Sequence, residues 1–266
     1  MRKDTRQVLW RNPIAVVGHR DTQYWPVVTV AGNIATLTLN RPQARNALNT
    51  QLCLELHLAV REVSKRSDVH VLLVRANGPV FCAGADLKER KGMDEDQIRA
   101  RRIKAFALYA ALEELTIPVI AVIQGPAVGS GCEIASACDF IVASDQATFR
   151  YPEARWGTVG ATQRLPRIVG RRIAKELMFT GREVSAQEAK AIGLVNQVLP
   201  HSEFDLYVET LAQEIAAAPP HAIRSAKRTI DKGADDSRFG ALAHEILAIE
   251  DNLTEGTWRA GMTSFV

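Results

Sequence analysis

Two glutamates and two loops of small residues are the parts of this chain that could do chemistry. Glu133 and Glu153 stand twenty positions apart (153 − 133 = 20). Carboxylates that converge on one cavity can divide proton handling, one as base and one as acid. Glu133 follows Gly129-Ser130-Gly131, whose small side chains let a ligand come close to the backbone. Cys132 to Cys138 then has helix-compatible spacing. A helix beginning here would aim free N–H groups and its positive dipole end into the loop, which suits a negative charge developing on oxygen. A second loop, Cys82-Ala83-Gly84-Ala85-Asp86, could bring another backbone N–H to the same oxygen. Neither loop is a phosphate-binding fingerprint, since there is no GxGxxG and no GKS or GKT. Each piece taken alone also has a plainer explanation: Gly84 as a turn, Glu133 as a first-turn helix residue, and Glu153 as a surface partner of Arg150 or Arg155.

Both loops follow expected strands. Val119–Ile123 is a continuous apolar run of the kind that is buried on both faces, and Gln124-Gly125-Pro126 breaks it. Val69–Val74 is the strand ahead of the Cys82–Asp86 loop. In open α/β sheets ligands gather at such strand ends. Pro152 stiffens the backbone just before Glu153. Elsewhere, Pro26–Asn40 reads as a hairpin turning at Ala31-Gly32-Asn33. Asn46–Ser64 and Ile98–Leu115 read as helices, and Leu87–Met93 as a short helix or flap. Phe140–Ala143 and Ala147–Phe149 are strands, and from Ile173 the pattern is helical, with a capping box expected at Ser185–Glu188. Strands and helices alternate to about residue 200, and helix follows, so an α/β core with a helical C-terminal subdomain is expected. The expected boundaries are an irregular N-terminal extension over 1–25, a core over 26–200 and a helical region over 201–266.

Bulk properties exclude several classes. The formal charge of +3, from 33 basic and 30 acidic residues, is too balanced for a nucleic-acid partner. Cys53, Cys82, Cys132 and Cys138 form no CxxC pair, so neither a metal site nor a disulfide framework is expected, and a reducing compartment fits. No apolar run reaches membrane-spanning length, and MRKDTRQVLWRNP lacks the apolar core of a secretory signal. A cytoplasmic protein without a membrane partner is expected.

Five runs then stand out together: LNRPQARNALN (39–49), FCAGADLKE (81–89), IQGPAVGSGCEIASACDFIVAS (123–144), FRYPEARWGTVGATQRLPRIVG (149–170) and TGREVSAQEAKAIGLVNQVLP (180–200). In order and spacing they resemble the crotonase, or enoyl-CoA hydratase/isomerase, superfamily over roughly residues 27 to 252. The resemblance implies a crotonase fold of ββα units repeated in a spiral, with a helical C-terminal part that builds trimers, often paired into hexamers. It implies an oxyanion hole made by the N–H groups of Ala85 and Ser130, where the family usually has Gly at the second position. It places Ala44, Arg45, Ala83 and Lys88 along the coenzyme A path, beside Gly84. Lys88 is then a phosphate partner, and Asp86 a brace for its loop. Hydratases of the family use two glutamates, and Glu133 and Glu153 fill both positions. The resemblance therefore implies a lyase adding water to a 2-enoyl-CoA, with no metal and no redox cofactor, coenzyme A being part of the substrate. Isomerisation, carbon–carbon bond hydrolysis and a non-catalytic scaffold are the alternatives, and many relatives with other activities lack one or both glutamates. In this chain the segment Gly157–Arg164 is about three residues shorter than in typical hydratases, and Trp156 adds bulk beside it. An unusual acyl group is expected for that reason.

Overall fold

The computed structural model describes residues 26–256, 258 and 259. The extension expected over 1–25 lies outside the described residues, as does the stretch 260–266 of the helical region. Strands β1 (Val27–Ala31) and β2 (Ile34–Leu39) form the expected hairpin, turning at Gly32, whose φ of +56° suits glycine. Helix α1 (Thr50–Ser64) starts four residues later than expected, where the Asn49 side chain accepts from Leu52 N. The residues ahead of it are drawn elsewhere, with Leu48 paired to Ala85. Strand β3 (Val71–Ala76) lies two residues beyond the expected span, because parallel pairing with β2 sets Ile34 against Val71 and Leu39 against Ala76. Helix α2 (Leu87–Arg90) is short, and α3 (Glu95–Glu113) begins three residues before the first apolar position, at a capping box of Asp94 and Gln97.

The chain continues through β4 (Val119–Ile123), β5 (Ala127–Val128), α4 (Ser130–Ser136), β6 (Phe140–Ser144) and β7 (Thr148–Arg150). Then come α5 (Arg164–Val169), α6 (Arg171–Thr180), β8 (Glu183–Ser185), α7 (Ala186–Ala191) and β9 (Gln197–Leu199). Three long helices end it: α8 (His201–Ala217), α9 (Pro220–Ala234) and α10 (Arg238–Glu255). No helix among the described residues is long and apolar enough to cross a membrane.

The main sheet has the order β1-β2-β3-β4-β6-β9 and is parallel except at the β1–β2 hairpin. Alternation along β4 explains its apolar run. Val119, Ala121 and Ile123 face a core shared with α1, α3 and α4, whereas Ile120 and Val122 face Phe204, Val208 and Ala212 of α8. A second, smaller layer runs beside the sheet. Leu48 pairs with Ala85, Cys82 with Ala127, β5 with β7, and β7 with β8. Successive turns of the chain thus give one strand to the sheet and one short strand or bridge to the second layer, which is the expected spiral of ββα units.

Asn46 ties the first turns of this spiral together. It is fully buried, its Oδ1 accepts from Arg41 N at 2.8 Å, and its Nδ2 donates to Asn77 O at 2.9 Å and Val80 O at 2.8 Å. Replacing it removes three hydrogen bonds to part-buried backbone groups, each worth about 0.5–1.5 kcal/mol. Asn46→Ala is expected to lower the thermal unfolding midpoint by about 5 °C or more, measured by circular dichroism on the purified chain.

Candidate active site

Pairing in the second layer decides where one backbone N–H group points, and the start of α4 decides another. Leu48 N donates to Gly84 O at 2.7 Å, and Asp86 N donates to Leu48 O at 2.9 Å. Across the trans peptide between Gly84 and Ala85, the N–H points opposite to the carbonyl. The Ala85 N–H therefore faces away from Leu48, into a cleft. Ser130 is the first residue of α4, so its N–H has no partner within the helix.

The two loops are held against each other by Cys82 N to Pro126 O at 3.2 Å and Val128 N to Cys82 O at 2.9 Å. Their approach requires glycine. At Gly84, with φ +90°, a Cβ would lie 2.8 Å from Val128 O and 3.7 Å from Ser130 N; at Gly131 it would lie 2.4 Å from Cys82 O. Ala85, Ser130, Glu133 and Glu153 all line the resulting cleft.

Glu133 sits on α4 one turn beyond the loop, its N–H bonded to Gly129 O at 3.0 Å. The residue is buried, and its Oε2 accepts from Arg164 Nη1 at 3.0 Å. Burial pushes the Glu133 carboxyl up, Arg164 pulls it back, and Glu153 and Glu113 push it further up. The net direction is upward.

Glu153 arrives from β7. Parallel pairing sets Arg150 opposite Val128, and Gly129 N donates to Arg150 O at 2.9 Å, so the next residues pass beside Gly129. A Cβ at Gly129 would lie 2.7 Å from Glu153 Oε1, and one at Gly160 3.2 Å from Glu153 Cγ. Arg150 does not pair with Glu153; its Nε donates to Gly181 O at 2.7 Å. Glu153 Oε2 is buried with no hydrogen-bond partner. Burial pushes this carboxyl up as well, opposed by its own backbone N–H and by Arg102.

The other residues singled out in the sequence divide by position. Ala83 and Gly84 line the cleft with Ala85. Ala83 N donates to Arg45 O at 3.0 Å, which places the Ala44-Arg45 turn beside the loop but outside the cleft lining. Lys88 is exposed on α2. Asp86 is the N-cap of α2, accepting from Lys88 N and Glu89 N, and it pairs with Arg41.

Several residues of the site had not been singled out. Arg102, Phe106 and Tyr109 of α3 line the cleft, and Arg102 Nη2 donates to Thr158 Oγ1 at 2.7 Å. Burial pushes the Tyr109 phenol up, and Ser130 acts against this. Their 3–4 residue spacing marked one face of a helix without showing what that face covers. Val159 stands at the rim, 69% exposed, beside Trp156, whose bulk the sequence did flag and which is 55% exposed. Arg164 lies behind Glu133 and also holds Glu113.

The strand spiral, its second layer and the helical C-terminal part are the crotonase fold. The crystal structure of enoyl-CoA hydratase from Bacillus anthracis is similar with a TM-score of 0.87 and 35% identity, covering 90% of this chain and 94% of that one. The family model for enoyl-CoA hydratase/isomerase matches residues 29–266. Enoyl-CoA isomerase/hydratase fer4 of Mycosarcoma maydis is 40% identical over 241 residues, 86% of this chain and 88% of the relative. Short-chain-enoyl-CoA hydratase of Clostridium acetobutylicum is 38% identical over 239 residues, 88% and 92% of the two chains. The chain belongs to the enoyl-CoA hydratase/isomerase family and is an enzyme of that group.

Gly131 offers a direct test of the loop packing. Gly131→Ala drives a methyl group into Cys82 O and is expected to lower the unfolding midpoint by about 5 °C or more. Gly92→Ala, whose Cβ would meet nothing nearer than Glu89 O at 3.9 Å, is expected to leave it within about 1 °C.

Proposed function

We propose that the protein is an enoyl-CoA hydratase, a lyase that adds water across the 2,3 double bond of a 2-enoyl-CoA thioester. One observation carries this: Glu133 and Glu153 line the same cleft as Ala85 and Ser130, the first carboxylate ion-paired and the second with an oxygen left unpartnered. The names of the relatives fit it.

In the proposed mechanism the thioester carbonyl oxygen accepts from the Ala85 and Ser130 N–H groups. These stabilise the enolate-like transition state, by about 3 kcal/mol per donor. Glu133, charged against Arg164, takes a proton from water. The remaining hydroxide oxygen bonds to the β-carbon, the double-bond electrons move toward the carbonyl oxygen, and the enolate returns them to the α-carbon, which takes a proton from Glu153. The turnover leaves Glu133 protonated and Glu153 charged, and one proton exchanged through solvent resets the pair. The steps as written call on no metal or redox group; coenzyme A enters with the substrate. Ala44, Arg45, Ala83 and Lys88 are the proposed coenzyme path, with Lys88 meeting a phosphate. The apolar rim of Leu87, Phe106, Trp156 and Val159 suits a larger acyl group than crotonyl. A trimer or hexamer is proposed from the family resemblance. It is supported by the exposed apolar side chains of α10, among them Phe239, Leu242 and Ile246.

Hydration removes the enoyl-thioester absorbance band. Glu133→Gln and Glu153→Gln are each expected to slow that loss by about 100-fold or more, with folding retained. Wild-type rates in both variants would sink the two-carboxylate mechanism. A shift of the double bond without loss of water from the medium would instead point to isomerisation. The acid limb of the kcat/KM profile is expected to report Glu133, which must be ionised, and the alkaline limb Glu153, which must be protonated. Longer or aromatic enoyl thioesters are expected to outrun crotonyl-CoA in the same assay.

A further inference from the structure

We propose that Arg164, braced by Glu113, is a positioning residue that fixes both the orientation and the negative charge of Glu133. The inference deepens the hydratase reading and rests on it. Arg164 does not line the cleft, so it acts through the carboxylate and not on the substrate. Its Nη1 donates to Glu133 Oε2 at 3.0 Å, while its Nε and Nη2 donate to the two Glu113 oxygens at 2.7 Å each. The guanidinium carbon lies 5.2 Å from the centre of the Tyr109 ring.

A planar guanidinium gripped along one edge by a carboxylate, and lying over an aromatic ring, has little freedom left. Its third contact then has a defined direction. Since that contact takes Oε2, Oε1 is the Glu133 oxygen left for the cleft. Glu113 and Tyr109 both belong to α3, Arg164 opens α5 and Glu133 lies on α4, so three helices meet at one ion cluster.

The charges in this cluster do not cancel. Glu113, Arg164 and Glu133 together carry one excess negative charge. The titratable groups facing Glu133 are Arg164 from α5, Glu113 and Tyr109 from α3, Glu153 after β7, and Tyr151 beside it. Arg164 favours the charged carboxylate, and Glu113 and Glu153 disfavour it. Arg164 and Glu113 therefore push Glu133 in opposite directions, although they are bonded to each other. A residue that merely stabilises the fold has no such sign.

The test is the pH profile of kcat/KM for the full chain, with wild type, Arg164→Met, Arg164→Lys and Glu113→Gln compared. Arg164→Met is expected to move the acid limb up by about one pH unit, and Arg164→Lys to restore part of the shift. Glu113→Gln is expected to move the limb down by a smaller amount, because Glu113 is partly solvated. A carbon-13 titration of glutamate-labelled protein, with the Glu133 signal assigned through Glu133→Gln, reads the same shifts without turnover. The proposal is overturned if Arg164→Met lowers the rate equally at all pH values with the Glu133 titration unmoved, or if the two charge removals shift Glu133 the same way. If the carboxyl titrates as expected but no enoyl-CoA is hydrated, the hydratase reading falls and the clamp stands.

Discussion

The site depends on the close approach of two backbone loops at Gly84 and Gly131. The main-chain N–H groups of Ala85 and Ser130 take their directions from β pairing with peptide planarity at the first and from the start of a helix at the second. The Leu48–Ala85 bridge turns one amide into the cleft, and the start of α4 supplies the other. Both glycines are placed where a methyl group would collide with a carbonyl oxygen of the opposite loop. The packing of the loops and the placement of the amides therefore share one set of contacts: whatever separates Cys82 from Val128 also separates the two amides.

The carboxylates meet a different balance. Burial raises the cost of charge on both, and each is treated differently by its neighbours. Glu133 is compensated by Arg164, which is itself compensated by Glu113 and seated on Tyr109. Glu153 has no ion pair among the described residues, and one of its oxygens is unsatisfied. Burial thus pushes both carboxyls up, and the two differ in what opposes it: Arg164 behind Glu133, and the backbone N–H and cleft-lining Arg102 at Glu153.

Much of this was legible in the sequence, and the rest was not for physical reasons. The β4 run is apolar at every position because both sheet faces are covered, one by α8, and that leaves a continuous signal. The Gly129–Gly131 loop was legible because only small residues permit the approach. Strands β5, β8 and β9 span two or three residues, too few for a period to show. Helix α5 carries Pro166 in its interior pattern, which reads as a break, yet the proline falls in the first turn, where its missing N–H costs nothing. Helix α3 started early because polar capping residues, not apolar ones, define its first turn. The Arg164–Glu133 contact joins residues 31 positions apart and leaves no periodic trace.

The rim around Trp156 to Ala161 takes part in no strand pairing, unlike the loops that present the amides. Substitutions or length changes there act on the wall of the cleft that carries Glu153, since Thr158 N donates to Glu153 O and Gly160 packs against its side chain. The architecture thereby separates a half locked by strand pairing between distant loops from a half whose main-chain hydrogen bonds are local, such as Thr158 N to Glu153 O at 2.9 Å. Selection acting on the second can diversify what the cavity admits while the first stays constant.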